Sequence, residues 1–124
     1  MAVTLANVTH PNQNTWEGEF LGQKCKVMDV TFDASYDNTN GEAVTAAQLG
    51  YQNIYGAFTM SHAWSGTTTD FAAVVVPVVN SARTSVALRC FQANGAATGK
   101  ESLNEVANTV DLSTYTARVV FIGA

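Results

Sequence analysis

The stretch KCKVMDVTF, residues 24–32, decides the fold class of this 124-residue chain. Polar and apolar residues alternate along it, and two of its apolar positions are β-branched valines. Alternation with a period of two residues is the signal of a β-strand with two different faces. The predicted faces are Cys25, Val27 and Asp29 on one side, and Lys26, Met28, Val30 and Phe32 on the other.

Five further segments have the same strand character. They are residues 3–8, 54–63, 71–79, 83–92 and 115–122, and a shorter amphipathic segment covers residues 101–107. Residues 45–49 are predicted as one helical turn, because Thr45 can cap it and Gly50 can close it in the left-handed conformation. We therefore predict an all-β single domain over residues 1–124, either a β-sandwich or a small β-barrel, with this one helical turn.

Several segments carry more specific expectations. Residues 71–79 contain a dense valine run that predicts a strand covered on both faces, and Pro77 predicts a sheet edge or a bulge there. The segment 54–63 alternates loosely, with Ile54, Gly56, Phe58, Met60 and His62 on one face. In the segment 83–92 the predicted core face consists of Thr84, Val86, Leu88 and Cys90. The core is expected to contain Val3, Leu5 and the strands around residues 30–32 and 119–122.

The charge balance argues against two classes of partner. The chain has 6 Lys and Arg against 10 Asp and Glu, a net charge of −4, and no basic run, so nucleic-acid binding is not expected. Its apolar stretches are far shorter than the roughly 20 residues of a membrane span, and no signal peptide is expected. Cys25 and Cys90 are expected as free thiols in a reducing cytoplasm. Charged residues make up only 13% of the chain, which indicates a surface partly covered by partners.

No sequence motif indicates catalysis or cofactor binding, because phosphate-binding loops, zinc-protease motifs and nucleophile motifs are missing from the sequence. His10 and His62 lack the companion residues of a metal or catalytic site, and a turn position and a packed or interface position are expected for them. Glu17 and Glu19 have the spacing of residues on one strand face, and a solvated face is favoured over a glycosidase-like carboxylate pair. We expect no catalytic residue, no cofactor, no metal site and no enzyme activity.

Two further groups of residues have both a structural and a functional interpretation. The loop with Asp33, Asp37, Asn38, Asn40 and Gly41 contains residues of calcium-binding loops but neither their order nor the terminal glutamate. A structural turn is therefore favoured there, and cation binding is the alternative. The aromatic residues near turns are Trp16, Trp64, Tyr36, Tyr51 and Tyr55. Packing is favoured for them, and contacts to a protein partner or a carbohydrate are the alternative.

Two blocks of the chain carry a distinctive pattern. The first, within residues 27–54, has a hydrophobic strand followed by VTFDASY (30–36), GEA (41–43) and TAAQLG (45–50). The second has LNEVAN (103–108), DLS (111–113) and ARVV (117–120). In these two blocks the chain resembles a family of tailed-phage virion proteins. The blocks cover about half of the chain, and residues 55–99 match only in their strand character. The family pattern has a shorter turn where this chain has DNTN (37–40).

The resemblance implies a head decoration protein, or cement protein, which is made in the host cytoplasm and binds the outside of a phage capsid. It implies the major capsid protein as partner and a homo-oligomer, with a trimer favoured and a dimer as the alternative. The family pattern contains no catalytic motif, so it supplies no site residue. Residues 33–41 and the N-terminal segment are the expected contact regions, because surface loops commonly carry binding. A carbohydrate-binding β-sandwich module and a tail or head-completion protein are the alternative functions.

Overall fold

The computed structural model describes residues 3–8, 17–64, 73–93 and 103–124. Nine strands and one short helix lie within these residues. The strands are β1 (Thr4–Asn7), β2 (Glu17–Phe20), β3 (Gln23–Thr31), β4 (Glu42–Thr45), β5 (Ile54–Trp64), β6 (Ala73–Val79), β7 (Ser85–Ala93), β8 (Leu103–Glu105) and β9 (Tyr115–Gly123), and the helix is α1 (Ala46–Leu49).

The strands form two antiparallel sheets that pack as a small β-sandwich. The first sheet has the order β1-β3-β9-β5, and the second has the order β4-β7-β6. Because β9 occupies one edge of β3 along its length, β1 and β2 share the other edge. In the same way β6 occupies one edge of β7, and β4 and β8 share the other. The all-β prediction is confirmed, and of its two architectures the sandwich is the correct one, because the described strands do not close into a barrel.

The main core lies between the two sheets. Its members from β3, β9 and the residue after β3 are Met28, Val30, Phe32, Ala117, Val119 and Phe121. The predicted faces of β3 are confirmed, because Val27 points the other way, into a second cluster with Val8 and Val120. The predicted core strand at 119–122 is thus divided between the two clusters. Val3 is buried in the main core and Leu5 packs against it, as expected.

Local sequence signals produce the helical turn that was predicted at residues 45–49. The Thr45 hydroxyl accepts the N–H of Gln48 over 3.2 Å, and the Gln48 side chain accepts the N–H of Thr45 over 2.8 Å. This reciprocal capping box satisfies two backbone donors that a helix start otherwise leaves free. Gly50 ends the turn with a φ of 74°, and Leu49 anchors it in the core.

The prediction that residues 71–79 are covered on both faces is wrong. Val75 is buried, whereas Val74, Val76 and Val78 are 43%, 40% and 48% exposed. The expectation from Pro77 is confirmed, because β6 is the last strand of its sheet. A valine run is apolar at every position, so it does not distinguish a strand between two layers from an edge strand with one bare face.

Two further predictions about which way side chains face are also wrong. Register shifts in β5 interrupt the alternation, so that Ile54 is buried whereas Phe58 and Met60 are exposed. Thr84 is not in the core but exposed in the turn before β7, where Asn80 Oδ1 accepts its N–H over 2.8 Å. Both errors arise where a bulge or a turn interrupts the ladder, because a shift of one residue reverses the facing of a side chain. The other predicted core residues of this strand are buried, namely Val86, Leu88 and Cys90.

Candidate functional site

The side chain of Tyr36 fills a gap between two short strands on one edge of β7. β4 pairs with residues 85–88 and β8 pairs with residues 91–93, so Cys90 lies between them. The N–H of Cys90 donates to Tyr36 Oη over 2.9 Å, and the carbonyl of Cys90 accepts the N–H of Val106 over 2.9 Å. Tyr36 and Val106 together therefore satisfy the backbone groups that a continuous neighbouring strand would pair.

The Tyr36 hydroxyl also joins an ion pair to the loop that follows β3. It donates to Oε1 of Glu105 over 2.8 Å, and Nη1 of Arg89 donates to the same oxygen over 2.7 Å. Arg89 also donates to the carbonyls of Asn38 and Thr39, over 3.2 Å and 3.0 Å. Burial raises the pKa of Tyr36 well above its ordinary value, so the hydroxyl keeps its proton at neutral pH and can donate to the carboxylate.

The loop of residues 33–41 is a structural turn, as the sequence favoured. Asp33 and Asp37 each accept the backbone N–H two residues further on, over 2.9 Å in both cases. Backbone hydrogen bonds of this kind lower the pKa of Asp37. Gly41 has a φ of 70°, and a Cβ there would lie 3.1 Å from the carbonyl oxygen of Leu88. Within the described ranges, no three His, Cys, Asp or Glu side chains form a group that could hold a metal ion.

Glu42, which directly follows this loop, is a buried carboxyl group. It is 1% exposed, and its Oε1 accepts the N–H of Asp37 over 3.1 Å, whereas its Oε2 has no hydrogen-bond partner among the described residues. Burial, reinforced by the charges of Asp33 and Asp37, raises the pKa of this carboxyl. Folding thus favours the protonated form of Glu42, because a buried carboxylate loses its hydration.

Glu17 and Glu19 lie on a solvated face of the hairpin, as expected, and both are exposed. Across the hairpin Glu17 lies opposite Lys26, and Glu19 lies opposite Lys24. Glu17 Oε1 is 3.4 Å from Lys26 Nζ, which also donates to the carbonyl of Leu49 over 2.9 Å. These residues line an open cleft of about 490 Å³ between the hairpin and α1. One of the two carboxylates at the cleft, Glu17, thus pairs with a lysine across the hairpin.

The structure describes the two cysteines and only part of the histidine positions. His10 lies outside the described residues, and His62 is described by its place in β5 opposite Ala117. Cys25 and Cys90 are free thiols, as predicted. Burial raises the pKa of Cys90 to about 12, which keeps it protonated and unreactive at neutral pH.

The five aromatic residues near turns have different environments. Trp16 lies outside the described residues, and Trp64 is described by its place at the end of β5. Tyr36 and Tyr51 are buried, so the packing interpretation is confirmed for them. Tyr55 is 45% exposed, and an arginine guanidinium lies 5.6 Å from the centre of its ring.

An exposed apolar surface lies where β5 and β6 contact each other. The hydroxyl of Thr59 donates to the carbonyl of Val75 over 2.8 Å, and the Val75 side chain is buried. Since successive side chains of a strand point to opposite faces, the residues beside this contact point away from the core, each on the outer face of its own sheet. Apart from Tyr55, whose ring lies beside Arg83, five large apolar side chains on these strands are 40–48% exposed, namely Phe58 and Met60 on the first sheet and Val74, Val76 and Val78 on the second. We call them the edge patch.

The edge patch contains no charge. β5 and β6 contain no Asp, Glu, Lys or Arg, and Asp70 is the single charged residue of the sequence between 54 and 79. Five large side chains that are each nearly half exposed add up to an apolar area on the order of 300 Å², comparable with the largest apolar patch of a typical monomer, which is often functional. The patch therefore fits an apolar partner surface and offers nothing to a charged one.

A second apolar surface lies at the turn between β2 and β3. Phe20 is 48% exposed and Leu21 is 88% exposed, and we call these two residues the hairpin tip. Leu21 and Gly22 have φ values of 52° and 80°, both in the left-handed region. β2 lies at one edge of the first sheet and β5 at the other, so the hairpin tip and the β5 part of the edge patch, Phe58 and Met60, are on opposite edges of that sheet.

The sequence predictions contained neither surface, although signals for both were present. The signal for the edge patch is the near absence of charge from residues 54–79, which is unusual for a strand with a bare face. The signal for the hairpin tip is the Leu21-Gly22 pair between strands that carry glutamates and lysines. Turn positions of this kind usually hold Asn or Asp before Gly.

No protein-family model, curated protein or solved structure matches this chain. The resemblance to phage virion proteins therefore stays a prediction. In the part of the chain that the structure describes, no helix is long and apolar enough to span a bilayer.

Glu42→Gln is expected to make the protein more stable at pH 7. Folding raises the pKa of this carboxyl above its ordinary value of 4.5. The stability that it contributes is thus fully present below the unfolded-state pKa and is lost as the pH rises through the folded-state pKa. Glutamine keeps an acceptor for the N–H of Asp37 and carries no charge.

Urea unfolding of both proteins across acidic and neutral pH tests this prediction. The advantage of the variant should grow as the pH rises above the ordinary glutamate pKa and should disappear below it. Glu19→Gln, at an exposed carboxylate, is the control and should show no such trend. A Glu42→Gln protein that is less stable than the wild type at pH 7 would contradict the prediction.

Proposed function

We propose that the chain is a virion structural protein, a decoration or cement protein that binds the outside of a tailed-phage head and stabilises the shell. The observation that carries this proposal is the joining of the two sequence blocks that resemble the family. The N–H of Tyr36 donates to the carbonyl of Val110 over 3.0 Å, and its carbonyl accepts the N–H of Thr109 over 2.8 Å. β3 of the first block also pairs with β9 of the second along residues 24–31. Residues 70 or more positions apart in the sequence thus form one continuous framework.

This framework suits a protein that acts by binding. A cement protein needs a stable scaffold whose backbone groups are paired internally and whose apolar surfaces are covered by neighbouring proteins. The edge patch and the hairpin tip are surfaces of that kind. Many copies on one shell bind with avidity, so each contact can be small.

The edge patch is the proposed contact between copies of the chain, in a trimer or, as the alternative, a dimer. Each chain has a net charge of −4, so two copies repel each other wherever their acidic surfaces meet. The edge patch is a surface without charges, and contact through it avoids this repulsion. A partner that is recognised by its charge would find no complementary group there.

The capsid exterior is the proposed location, and the major capsid protein is the proposed partner. Synthesis in the host cytoplasm agrees with the free thiols of Cys25 and Cys90, because a reducing compartment keeps thiols unpaired. Nucleic acid and membrane are not proposed as partners, since the chain is acidic.

The purified protein is expected to bind heads of its parent phage that lack it and to raise the temperature at which those heads open. Cosedimentation measures the binding, and calorimetry of the heads measures the stabilisation. Heads that already carry the protein are the control and should bind no more of it. Failure to bind the bare heads would contradict the proposal.

Tubes or hexameric rings in electron microscopy would favour the tail or head-completion alternative. A specific glycan-array signal would favour the carbohydrate-binding module.

Val78→Glu is expected to reduce the mass of the purified protein in solution from that of an oligomer to that of one chain. The substitution places a carboxylate in the edge patch, where contact between copies would bury it without a partner. Light scattering measures the mass. Ala47→Glu adds the same charge at an exposed position of α1, outside the edge patch, and should leave the mass unchanged. An oligomer that survives Val78→Glu would contradict the proposed contact, and a wild-type protein that stays monomeric would contradict self-association in solution.

A further inference from the structure

The hairpin of β2 and β3 ends in a turn whose first residue, Leu21, is unfavourable both for the turn conformation and for exposure to water. The two strands pair up to Phe20 and Gln23, so Leu21 and Gly22 form a two-residue loop. Both have positive φ values, 52° and 80°, as in a type I′ turn. Asn, Asp and Gly are the usual residues at these positions, because a larger side chain crowds the following carbonyl in the left-handed region.

The unfavourable backbone conformation of Leu21 is not compensated by burial of its side chain, which is 88% exposed. The neighbouring Phe20 is also exposed, which makes the end of the hairpin an apolar point. A strained backbone that presents an exposed apolar side chain suggests a function in binding, since neither folding nor solubility favours it.

The hairpin holds the tip in a fixed position. The oppositely charged residues face each other across β2 and β3, with Glu17 opposite Lys26 and Glu19 opposite Lys24. Such cross-strand pairs support a hairpin and leave it with no net charge. β3 is also paired with β9 along its length, and Lys26 donates to the carbonyl of Leu49. The tip is thus carried on a braced pair of strands.

These features favour a particular kind of partner. A neutral hairpin on an acidic chain is not attracted to anionic lipid, so a membrane is not favoured. A second copy is not favoured either, because the β5 part of the edge patch proposed for that contact lies at the opposite edge of the first sheet. An exposed apolar tip on a hairpin without net charge fits an apolar pocket of a different protein better than either.

We propose that the hairpin tip, Phe20 and Leu21, is the anchor with which the chain docks into an apolar pocket of the shell protein. This proposal rests on the proposed function, because the shell is the partner considered there. In this proposal the capsid is contacted by the braced turn at one end of β3. Residues 33–41, which were expected to form the contact, follow the other end of the same strand. Their carboxylates are occupied in holding backbone N–H groups.

Leu21→Asn tests the proposal, because it should change binding and stability in opposite directions. Asparagine adopts the left-handed conformation readily, so the melting temperature of the free protein is expected to rise by about 3–6 °C. Loss of the apolar anchor is expected to weaken binding to heads that lack the protein by about tenfold or more. Leu21→Ala removes the anchor without improving the turn, so it should weaken binding and leave the melting temperature nearly unchanged.

Thr109→Asn is the matched control. Thr109 is exposed, has a φ of 64° and lies far from the hairpin in the fold, in the segment that contacts Tyr36. This substitution should also raise the melting temperature, but it should leave binding to the heads unchanged. The comparison separates a gain in stability from a loss of contact.

The outcomes distinguish this proposal from the proposed function. Wild-type protein that does not bind the heads would overturn both. Wild-type binding that Leu21→Asn and Leu21→Ala leave unchanged would overturn the anchor alone. A fall in oligomer mass with Leu21→Asn would assign the tip to a contact with a second copy. Wild-type binding to phosphatidylglycerol vesicles that this variant abolishes would assign the tip to a membrane. Either result would also overturn the anchor.

Discussion

The hydroxyl group of Tyr36 takes the place of a backbone hydrogen-bond acceptor that a continuous neighbouring strand would provide. β7 is the central strand of the second sheet, and one of its edges is shared between the short strands β4 and β8. The Tyr36 hydroxyl accepts the buried N–H of Cys90 at the break between them. Because Tyr36 follows a strand of the first sheet and contacts a strand of the second, this hydrogen bond also ties the two sheets together.

Several other features depend on this contact. The same hydroxyl donates to Glu105, which receives a charge-assisted hydrogen bond from Arg89, and Arg89 in turn holds carbonyl groups of the loop at residues 33–41. The network thus joins Tyr36 and Glu105, from the two halves of the chain, to Cys90 and Arg89 of β7, whereas the two exposed apolar surfaces lie mainly on other elements. That separation would let the contact surfaces differ between related chains while the framework stays the same.

The sequence predicted the framework better than it predicted the surfaces. Alternation along residues 24–32 and the caps of α1 are local signals, so β3 and the helical turn were predicted correctly. Which face of a strand is covered depends on distant parts of the chain, and the valine run of β6 was wrongly expected to lie between two layers. Register shifts in β5 and the turn before β7 reversed the facing of other residues. The network around Tyr36 was missed because it joins residues more than 50 positions apart.

The most direct test of this account is the stability of Tyr36→Phe in urea unfolding, measured beside Tyr55→Phe. Both substitutions remove one hydroxyl group, but Tyr36 is buried and hydrogen-bonded whereas Tyr55 is exposed. Tyr36→Phe leaves the N–H of Cys90 without this acceptor, so the free energy of unfolding is expected to fall by about 1–3 kcal/mol. Tyr55→Phe is expected to change it by less than about 0.5 kcal/mol. Equal stabilities of the two variants would contradict the central role of Tyr36.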